Sequence, residues 1–450
     1  MTAEVDVVVV GLGVGGEEVA GRLAAAGLDV VGIEAELVGG ECPYWGCVPS
    51  KMAIRAANLL AETARVDGIA GRSHAIPDWA LVAERIRTEA TTDWNDEAAV
   101  KRFTDKGGTF VRGRGKLTGP DEVTVDDRVY RARRGVVLGA GAAAVVPPVD
   151  GLADTPYWTN RQLLSAKELP DSLLVLGGGA VGLELAQALN RFGVEVHVVE
   201  AADRLLAGEE PETSKLLTEV LQADGVTVHR GASATAVDYD GRFTVTLADD
   251  RRFVADELLV SAGRRANLGG LGVEAVGLDP EASAIPTDEW MRAADGVWAV
   301  GDITAHGGFT HVAMYQADVV VRDILDQGGP AADYRAVPRV TFTDPEVGSV
   351  GMTQKQAEDA GFRVDTAVSQ LPASSRGWIH KAGNVGLIKL VVDADRGVLL
   401  GATSVGPSGG EVLSVLTLAV KAQTPIAVLR DMIYAYPTFH RSILDALNAL

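Results

Sequence analysis

Cysteine is scarce in this sequence, and long apolar runs are missing. Only two of the 450 residues are cysteine, and they stand close together as Cys42 and Cys47. A secreted domain held together by disulfides would carry more cysteines spread along the chain, so that class is excluded. No apolar run approaches the roughly 18 residues of a membrane-spanning helix, and the first residues show neither the basic segment nor the cleavage site of a signal peptide. We therefore expect a soluble, cytoplasmic protein without a membrane partner.

Positive charge is also in short supply. Lysine and arginine number 41 against 61 aspartates and glutamates, which gives a formal net charge of −20 at pH 7. Nucleic acids are bound through lysine and arginine side chains that displace counterions, so nucleic acid is not an expected partner. The hydrophobic share of 47% and the charged share of 23% are ordinary for a globular protein. A chain of this length exceeds a single hydrophobic core, and two to four domains are expected.

The two cysteines indicate a chemical rather than a structural role. Two nearby cysteines can be an ordinary buried pair, but in a cytoplasmic protein a close pair is more typical of a redox or metal site. A metal site needs further ligands, and the nearest histidine along the chain is His74. We therefore expect no metal and favour a redox pair.

One pattern occurs twice in the sequence. The first copy is an apolar run from Val5 to Val10, the segment Gly11-Leu12-Gly13-Val14-Gly15-Gly16, a helical stretch to Ala26, and a strand from Asp29 that ends at Glu34. The second copy is Ser172 to Leu176, the segment Gly177-Gly178-Gly179-Ala180-Val181-Gly182, a helix to Phe192, and a strand from Glu195 that ends at Glu200. In both copies the acidic residue follows the first glycine by 23 positions.

Each copy is the fingerprint of a dinucleotide-binding βαβ unit. The first glycine permits a tight turn, the second lets the backbone approach a pyrophosphate, and the third lets helix and strand pack closely. The phosphates meet the positive end of the helix, and the acidic residue accepts hydrogen bonds from a ribose. Two copies predict an α/β fold with two Rossmann-like dinucleotide-binding domains. Glu200 would repel the 2′-phosphate of NADPH, which favours NADH over NADPH although Arg204 lies nearby.

The rest of the sequence completes a three-domain arrangement. Arg134 to Ala144 reads as an apolar strand that runs into a Gly/Ala turn, and Pro147-Pro148 reads as a linker. Further strands are predicted at Val226 to His229, Phe243 to Leu247, Leu258 to Gly263 and Val297 to Asp302. From Pro338 onward, strands alternate with amphipathic helices without a glycine-rich turn. We expect a first nucleotide domain at 1–150 and 270–335, a second at 151–269, and a C-terminal α+β domain at 336–450.

The segment around the cysteines resembles a known redox motif. It reads Gly39-Gly40-Glu41-Cys42-Pro43-Tyr44-Trp45-Gly46-Cys47-Val48-Pro49-Ser50-Lys51, with four residues between the cysteines. Together with Val300-Gly301-Asp302, Thr310-His311-Val312-Ala313 and the segment from Phe342 to Gly351, it is similar to the pyridine nucleotide–disulfide oxidoreductases. That family includes dihydrolipoamide dehydrogenase, glutathione reductase and mercuric reductase. The resemblance covers nearly the whole chain and implies a homodimer, joined through the C-terminal domain, with FAD and NADH as cofactors.

The resemblance also implies a role for each residue of the site. Electrons would pass from NADH through FAD to a Cys42–Cys47 disulfide and then to a small-molecule acceptor of the disulfide class. Cys47 would face the flavin as a charge-transfer thiolate, Cys42 would exchange with the substrate, and Lys51 would pair with Glu184 beside the flavin. The residues expected to contact the nucleotides are Gly11, Gly13, Val14, Gly15, Gly16, Glu34, Gly40, Glu41, Cys42, Lys51, Gly115, Gly141, Gly301, Asp302 and Thr310 for FAD, and Gly177, Gly179, Ala180, Val181, Gly182, Glu200 and Gly263 for NADH.

The C-terminal segment departs from the family pattern. Members usually end in H-x-H-P-T-x-x-E, in which the second histidine is the acid/base for the interchange thiol and the glutamate orients it. Here Tyr436 and Arg441 stand at those two positions. A phenol with a pKa near 10 is a poor base at neutral pH, so Tyr436 would donate a proton to a leaving thiolate, or His440, four residues later on the same predicted helix, would act as the base. Both would come from the other subunit, and Arg441 would either attract an anionic substrate or form a surface ion pair.

The inter-cysteine segment Pro43-Tyr44-Trp45 is a second departure, because the family usually has smaller residues there. The two rings would either narrow access to the cysteines or pack against the neighbouring helix.

The acceptor stays open at this point. Turnover of dihydrolipoamide or glutathione is in doubt without the histidine, and mercury is disfavoured because no further cysteine pair follows Cys47. A carbon–sulfur-cleaving carboxylation of the ketopropyl-coenzyme M type is a remote alternative. The other interpretations are direct reduction of a quinone, a metal ion or oxygen by the flavin, a dihydrolipoamide dehydrogenase-like subunit of a lipoyl complex, and a redox-sensing binding protein.

Overall fold

A computed structural model describes residues 2–304 and 306–450 of the chain. The strands, in chain order, are β1 (Thr2–Val10), β2 (Val30–Glu34), β3 (Thr109–Arg112), β4 (Lys116–Gly119), β5 (Glu122–Val125), β6 (Arg128–Leu138), β7 (Ala142–Ala144), β8 (Ser172–Leu176), β9 (Glu195–Val199), β10 (Thr227–His229), β11 (Ala234–Tyr239), β12 (Phe243–Leu247), β13 (Arg252–Ala255), β14 (Glu257–Val260), β15 (Arg264–Ala266), β16 (Arg292–Ala294), β17 (Val297–Ala299), β18 (Pro338–Thr341), β19 (Glu346–Gly351), β20 (Val364–Gln370), β21 (Leu387–Asp393) and β22 (Val398–Gly406). The α-helices are α1 (Val14–Ala25), α2 (Glu41–Tyr44), α3 (Cys47–Ala64), α4 (Trp79–Arg85), α5 (Glu97–Thr104), α6 (Asn160–Ser165), α7 (Ala180–Arg191), α8 (Pro211–Asp224), α9 (Thr310–Ile324), α10 (Gln354–Asp359), α11 (Ser375–His380), α12 (Gly409–Ala422), α13 (Ile426–Asp431) and α14 (Ser442–Asn448).

The chain folds into two compact units, and the first falls within residues 1–50, 84–145 and 263–334. Its main sheet has the strand order β16-β17-β6-β1-β2-β3. The central strand β1 runs parallel to both β2 and β6, and Val7, Val8 and Val9 on it are fully buried. A strand that is covered on both faces explains this continuous valine run. The hairpin of β4 and β5 extends the sheet antiparallel to β6.

The second unit falls within residues 51–83, 146–262 and 335–450 and contains sheets of two kinds. A parallel sheet has the order β10-β9-β8-β14, and an antiparallel sheet of β11, β12 and β13 accompanies it. The C-terminal part has a third, antiparallel sheet in the order β18-β19-β22-β21-β20. Leu413 and Leu416 of α12 share a buried core with Leu390 of β21. The predicted fold class, with two Rossmann-like βαβ units and a C-terminal α+β part, is thus present.

The two βαβ units lie within one residue of their predicted positions at most boundaries. The predicted strand that runs from Arg134 into a Gly/Ala turn corresponds to β6 and the break after it, beyond which the structure adds the short strand β7. Gly141, which adopts the left-handed φ of 67°, lies in the break, and β7 pairs with β15 instead of continuing beside β1. Within residues 2–304 and 306–450, none of the helices combines the length and the apolar character needed to cross a membrane.

Candidate active site

The first glycine-rich turn leaves its backbone open where a pyrophosphate would lie. Gly11 has a positive φ of 90°, and a Cβ there would lie 2.5 Å from the Gly139 carbonyl oxygen. Gly13, the residue that precedes α1, has no atom within 4 Å of where its Cβ would lie. Gly16 faces the Gly11 carbonyl oxygen so closely that a Cβ would overlap it. This arrangement, with Val14 and Gly15 opening the helix, fits the phosphates of a dinucleotide.

The second glycine-rich turn repeats these features. Gly177 has a φ of 110°, and a Cβ there would lie 2.5 Å from the Ser261 carbonyl oxygen. Gly179 again faces open space, and a Cβ on Gly182 would overlap the Gly177 carbonyl oxygen. The helix α7 then begins with Ala180 and Val181. The two turns are therefore built alike, and both have the space that a dinucleotide requires.

The two acidic residues that end the βαβ units accept the same pair of hydrogen bonds. Glu34 accepts the Leu12 backbone N–H at 2.7 Å through one oxygen and the Glu36 backbone N–H at 2.8 Å through the other. Glu200 accepts the two corresponding backbone N–H groups, each at 2.6 Å. Because a carboxylate has about four acceptor positions, each glutamate keeps capacity for a ribose diol. Burial raises the pKa of Glu34, and the two backbone hydrogen bonds oppose this effect.

Arg204 hydrogen-bonds to the segment that follows it and not to the Glu200 carboxylate. Its guanidinium donates to the Glu209 carbonyl oxygen at 2.6 Å, to the Ser214 hydroxyl at 2.8 Å and to the Ala207 carbonyl oxygen at 2.6 Å. These three hydrogen bonds hold the Arg204 guanidinium against its own loop. Because the three acceptors are uncharged, they orient the guanidinium without neutralising its charge.

Acidic residues predicted to contact FAD lie around one arginine. The guanidinium of Arg264 lies 4.0 Å from Glu41 and 3.9 Å from Asp302. Burial raises the pKa of Asp302, whereas the nearby Arg264 charge lowers it. Next to Asp302, Gly301 donates its backbone N–H to the Gln316 side-chain oxygen at 2.7 Å.

The remaining predicted glycines have different surroundings. A Cβ on Gly40 would lie 2.8 Å from Gly13 Cα, so this glycine keeps the segment before Cys42 against the first turn. Gly141 and Gly263 have positive φ values of 67° and 118° and face open space. Gly115 contacts the core instead, because a Cβ there would lie 2.9 Å from Val10.

The two cysteines are thiols in different environments. Cys42 belongs to the short helix α2 and is half-buried, while Cys47 is exposed and is the first residue of α3. The Cys47 sulfur lies 3.3 Å from the Thr310 hydroxyl oxygen. Hydrogen bonding to Cys47 is the main cause that raises the pKa of Cys42, and burial adds to it. A pair in which Cys42 keeps its proton and hydrogen-bonds to the sulfur at a helix N-terminus is suited to a thiolate at Cys47.

Tyr44, between the cysteines, points inward. It is 6% exposed, and its hydroxyl donates to the Val38 carbonyl oxygen at 3.2 Å. Its ring lies 5.9 Å from that of Trp45. The Tyr44 ring therefore packs into the protein, which favours the packing interpretation for this residue over crowding of the cysteines.

Lys51 forms the predicted pair with Glu184. The lysine Nζ lies 2.8 Å from Glu184 Oε2, and the glutamate side chain is only 7% exposed. The other oxygen of Glu184 accepts the Phe342 backbone N–H at 2.8 Å. Lys51 Nζ also lies 4.6 Å from the centre of the Phe342 ring. Glu184 is thus a buried carboxylate with a partner at each of its two oxygens.

Tyr436 and His440 do not share a helix, so that part of the prediction is wrong. They lie in the irregular segment between α13 and α14, where Pro437 interrupts the backbone hydrogen bonding that a helix needs. The Tyr436 side chain is 68% exposed, whereas the His440 ring contacts Tyr434 at 5.9 Å. Arg441 lies 3.3 Å from Asp445, which is the surface ion pair considered above.

The sequence did not point to three residues that complete these clusters. Phe342 supplies a backbone donor to Glu184 and a ring to Lys51, Arg264 lies between two acids, and Gln187 fixes the segment that contains Phe342. The signal for Gln187 was its position three residues after Glu184, which places both on one face of α7. Among the described residues, no group of three or more histidines, cysteines or acids is arranged to hold a metal ion.

The paired nucleotide turns and the neighbouring thiols define a two-dinucleotide oxidoreductase, and comparison with known proteins identifies its family. Residues 5–317 match the family described as pyridine nucleotide-disulphide oxidoreductase, and residues 337–447 match its dimerisation domain. The chain belongs to the pyridine nucleotide-disulphide oxidoreductases. As predicted, it is an FAD flavoprotein disulfide reductase of an NAD(P)H-dependent family.

The relatives include proteins named for different substrates. The chain is 31% identical over 467 residues to the dihydrolipoyl dehydrogenase of Halobacterium salinarum, and the match covers 98% of this chain and 95% of that protein. It is 30% identical over 437 residues to the mercuric reductase of Bacillus cereus, and this match covers 95% of the chain and 69% of that protein. Among solved structures, the Cu(II) complex of the HOCl-induced flavoprotein disulfide reductase RclA from Escherichia coli has a TM-score of 0.87 at 25% identity, and 99% of each chain is covered.

Proposed function

We propose that this enzyme uses NADH to reduce a Cys42–Cys47 disulfide and that Cys42 passes the reducing equivalents to a small disulfide. The observation that carries the proposal is the different placement of the two sulfurs. Cys47 is the exposed first residue of a helix whose N-terminus favours a thiolate, whereas Cys42 is half-buried and its hydrogen bond to Cys47 raises its pKa. FAD, when bound, supplies the two-electron transfer between the nicotinamide and the cysteine pair.

The exchange with the acceptor follows from this difference. Cys42 passes its proton to the hydrogen-bonded Cys47 thiolate and attacks one sulfur of the acceptor disulfide, which releases one thiolate and leaves a mixed disulfide. Cys47 then gives up that proton and attacks the Cys42 sulfur, which releases the second thiolate and forms the Cys42–Cys47 disulfide. The two leaving thiolates take two protons, the one that Cys47 gives up and one from solvent, and the hydroxyl of Tyr436 is the proposed group that passes on the solvent proton. The hydride of NADH, which is two electrons and a proton, restores the Cys42 thiol and the Cys47 thiolate.

The other predicted residues take supporting roles in this proposal. Glu34 and the first glycine-rich turn hold the adenosine half of FAD, while Glu200 and the second turn hold that of NADH. Lys51, which is paired with Glu184 and follows Cys47 by four residues on α3, stabilises negative charge that develops during the reaction. We propose three domains at 1–150 with 270–335, 151–269 and 336–450, and a homodimer in which Tyr436 and His440 serve the partner's site. The match to a dimerisation domain supports this assembly. Because NADH is the donor, we place the enzyme in the cytoplasm.

The cofactor preference gives a first prediction. We expect a wild-type kcat/KM that is at least about 10-fold higher for NADH than for NADPH, and Glu200→Ser is expected to lower the kcat/KM for NADH by about 10- to 100-fold through loss of charged hydrogen bonds to ribose. The ratio of kcat/KM for NADH to kcat/KM for NADPH should therefore fall, because the substitution also removes the repulsion between Glu200 and a 2′-phosphate. Steady-state kinetics with both nucleotides measures this. Arg204→Met is the matched control, since the guanidinium is held by its own loop, and its ratio should stay within about twofold. Equal use of NADPH by the wild type would contradict the assignment.

Tyr436 gives a second prediction. Tyr436→Phe should lower kcat for disulfide reduction by about 10-fold, and Tyr436→His should raise it, since a general acid/base contributes about 10²–10⁴-fold when it is well placed. Tyr434→Phe is the control, because it removes a buried hydroxyl that donates only to the Leu429 carbonyl oxygen at 3.1 Å. The pH profile of kcat provides the readout, since its alkaline limb should move only in the Tyr436 variants. If Tyr436→Phe matches the wild type at every pH, the residue only fills space.

Metal-ion reduction is a second candidate function. Two observations favour it: one relative is a mercuric reductase, and the RclA structure is a Cu(II) complex. The Tyr436 position also lacks the histidine of the disulfide reductases. NADH consumption by the purified flavoprotein, measured against disulfides, quinones, Hg(II) and Cu(II), separates the candidates. Turnover with a disulfide at a rate above that of the metal ions and quinones is expected. Turnover with metal ions alone would replace the disulfide by a metal ion as acceptor.

A further inference from the structure

Three polar residues form one stripe along α7. Glu184, Gln187 and Arg191 are spaced by three and four residues, so their side chains lie on the same face of the helix. All three contact the turn of residues 342–345, which connects β18 to β19. Of these three residues, only Glu184 contacts Lys51. Gln187 and Arg191 contact Asp344 of the same turn instead.

The Gln187 side chain forms a clamp on this turn, by which we mean its hydrogen bonds to both backbone groups of Asp344. Its side-chain oxygen accepts the Asp344 backbone N–H at 2.7 Å, and its amide nitrogen donates to the Asp344 carbonyl oxygen at 2.9 Å. The same nitrogen donates to Asp224 at 2.8 Å. The residue is 2% exposed, so the amide makes these bonds away from solvent. A buried amide with every partner in place holds a backbone more rigidly than an apolar side chain would.

The Asp344 side chain is held as well. One carboxylate oxygen accepts from Arg191 at 2.8 Å and from Arg65 at 2.6 Å, and the carboxylate is 12% exposed. Arg191 also donates to Asn58 at 2.7 Å. Lys51 and Asn58 are seven residues apart and share one face of α3, and Arg65 directly follows the last residue of that helix. The turn is thus fastened to α7 and to the helix that carries Lys51.

We propose that Gln187 and Asp344 are positioning residues for the Lys51–Glu184 pair. Phe342, two residues before Asp344, provides the second hydrogen bond to Glu184 and the ring against Lys51. When Gln187 no longer holds Asp344, Phe342 moves, Glu184 loses one of its two partners, and the ammonium of Lys51 leaves its place. The functional consequence rests on the proposed role of Lys51 and Glu184, while the clamp itself is a property of the fold.

A double-mutant cycle tests the proposal. Reduction of the cysteine pair by NADH is followed in a stopped-flow instrument through the long-wavelength thiolate–flavin absorbance. Gln187→Leu is expected to slow this step about 10-fold in the wild-type background but less than about twofold in the Glu184→Gln background, because residues that act through one network are non-additive. Asn190→Leu is the control, since Asn190 lies on the same helix and donates to the Asp224 carbonyl oxygen at 2.7 Å, outside the turn. It should change the rate less than about twofold in both backgrounds.

Hydrogen exchange provides a readout that does not depend on activity. Peptides that cover residues 342–345 should exchange faster in Gln187→Leu than in the wild type or in Asn190→Leu. Should Gln187→Leu fail to accumulate as a folded flavoprotein, Asp344→Asn carries the same cycle, because it weakens the bonds to Arg191 and Arg65. Equal slowing in both backgrounds, or unchanged exchange at 342–345, would overturn the proposal. A wild-type enzyme without the long-wavelength band would instead refute the proposed function, and the exchange experiment would then decide on the clamp by itself.

Discussion

The Cys42→Ser variant is expected to accept electrons from NADH and yet to lose disulfide reduction by on the order of 10⁴-fold or more, as when a nucleophile is removed from an enzyme. The reason is that Cys47, without its partner, cannot form the internal disulfide that completes the exchange. Its thiolate remains at the N-terminus of α3, so the long-wavelength absorbance should be present before any NADH is added. Spectra of the oxidised variant and steady-state rates with a disulfide measure both effects.

The Cys47→Ser variant is the matched control for this experiment. It should lose both disulfide turnover and the long-wavelength band, because the sulfur proposed to face the flavin is gone. The chain has no other cysteine that would obscure the result. If Cys42→Ser kept disulfide turnover within tenfold of the wild type, electrons would reach the acceptor without the dithiol. The direct transfer to a quinone or a metal ion would then be the better explanation.

Lys51→Met should produce the second large effect, a fall of about 10²-fold in the rate at which NADH reduces the cysteine pair. In the proposed mechanism the ammonium stabilises negative charge during the reaction. Its removal also takes away one of the two partners of Glu184 and leaves the Phe342 N–H. The long-wavelength band should appear only at higher pH, since a thiolate without a neighbouring cation forms less readily. Stopped-flow traces and a pH titration of the band measure these changes.

The stability of the Lys51→Met variant should fall only modestly. Lys51 is 35% exposed while Glu184 is 7% exposed, so the loss is expected to be about 1–2 kcal/mol and not the larger value of a fully buried pair. Lys355→Met removes a surface lysine that lies 2.8 Å from Asp359 and is the control for loss of a charge. It should leave both the rate and the band unchanged. An unaltered cysteine reduction rate in Lys51→Met would show that the pair has no part in the chemistry.

Much of the fold could be predicted because its signals are local. The valine run of β1, the glycines of the two turns and the acids at the ends of β2 and β9 follow one another within short stretches of chain. The Gly/Ala turn after the strand from Arg134 was predicted for the same reason. The short strand β7 beyond the turn was not, since hydrophobic alternation does not show that it pairs with β15, more than 100 residues later in the chain.

The site could be predicted where a motif carries it and not where distant segments meet. Glu184 and Lys51 were found through the family pattern, but their shared neighbour Phe342 donates through its backbone, and a backbone N–H leaves no trace in the residue type. Gln187 was missed for a related reason. A glutamine on a helix is usually solvated, and only the buried turn at Asp344 gives it a different task. The helical assignment of Tyr436 and His440 was wrong because spacing by four residues was given more weight than Pro437.

The matching hydrogen bonds of Glu34 and Glu200 limit what these carboxylates can recognise. Each side chain is held by two corresponding backbone donors, so in the proposed roles both present their remaining acceptor positions to an adenosine ribose in a similar way. The adenosine half is common to FAD and NADH. If the two carboxylates bind it as proposed, discrimination between the cofactors has to come from the residues around the isoalloxazine and the nicotinamide.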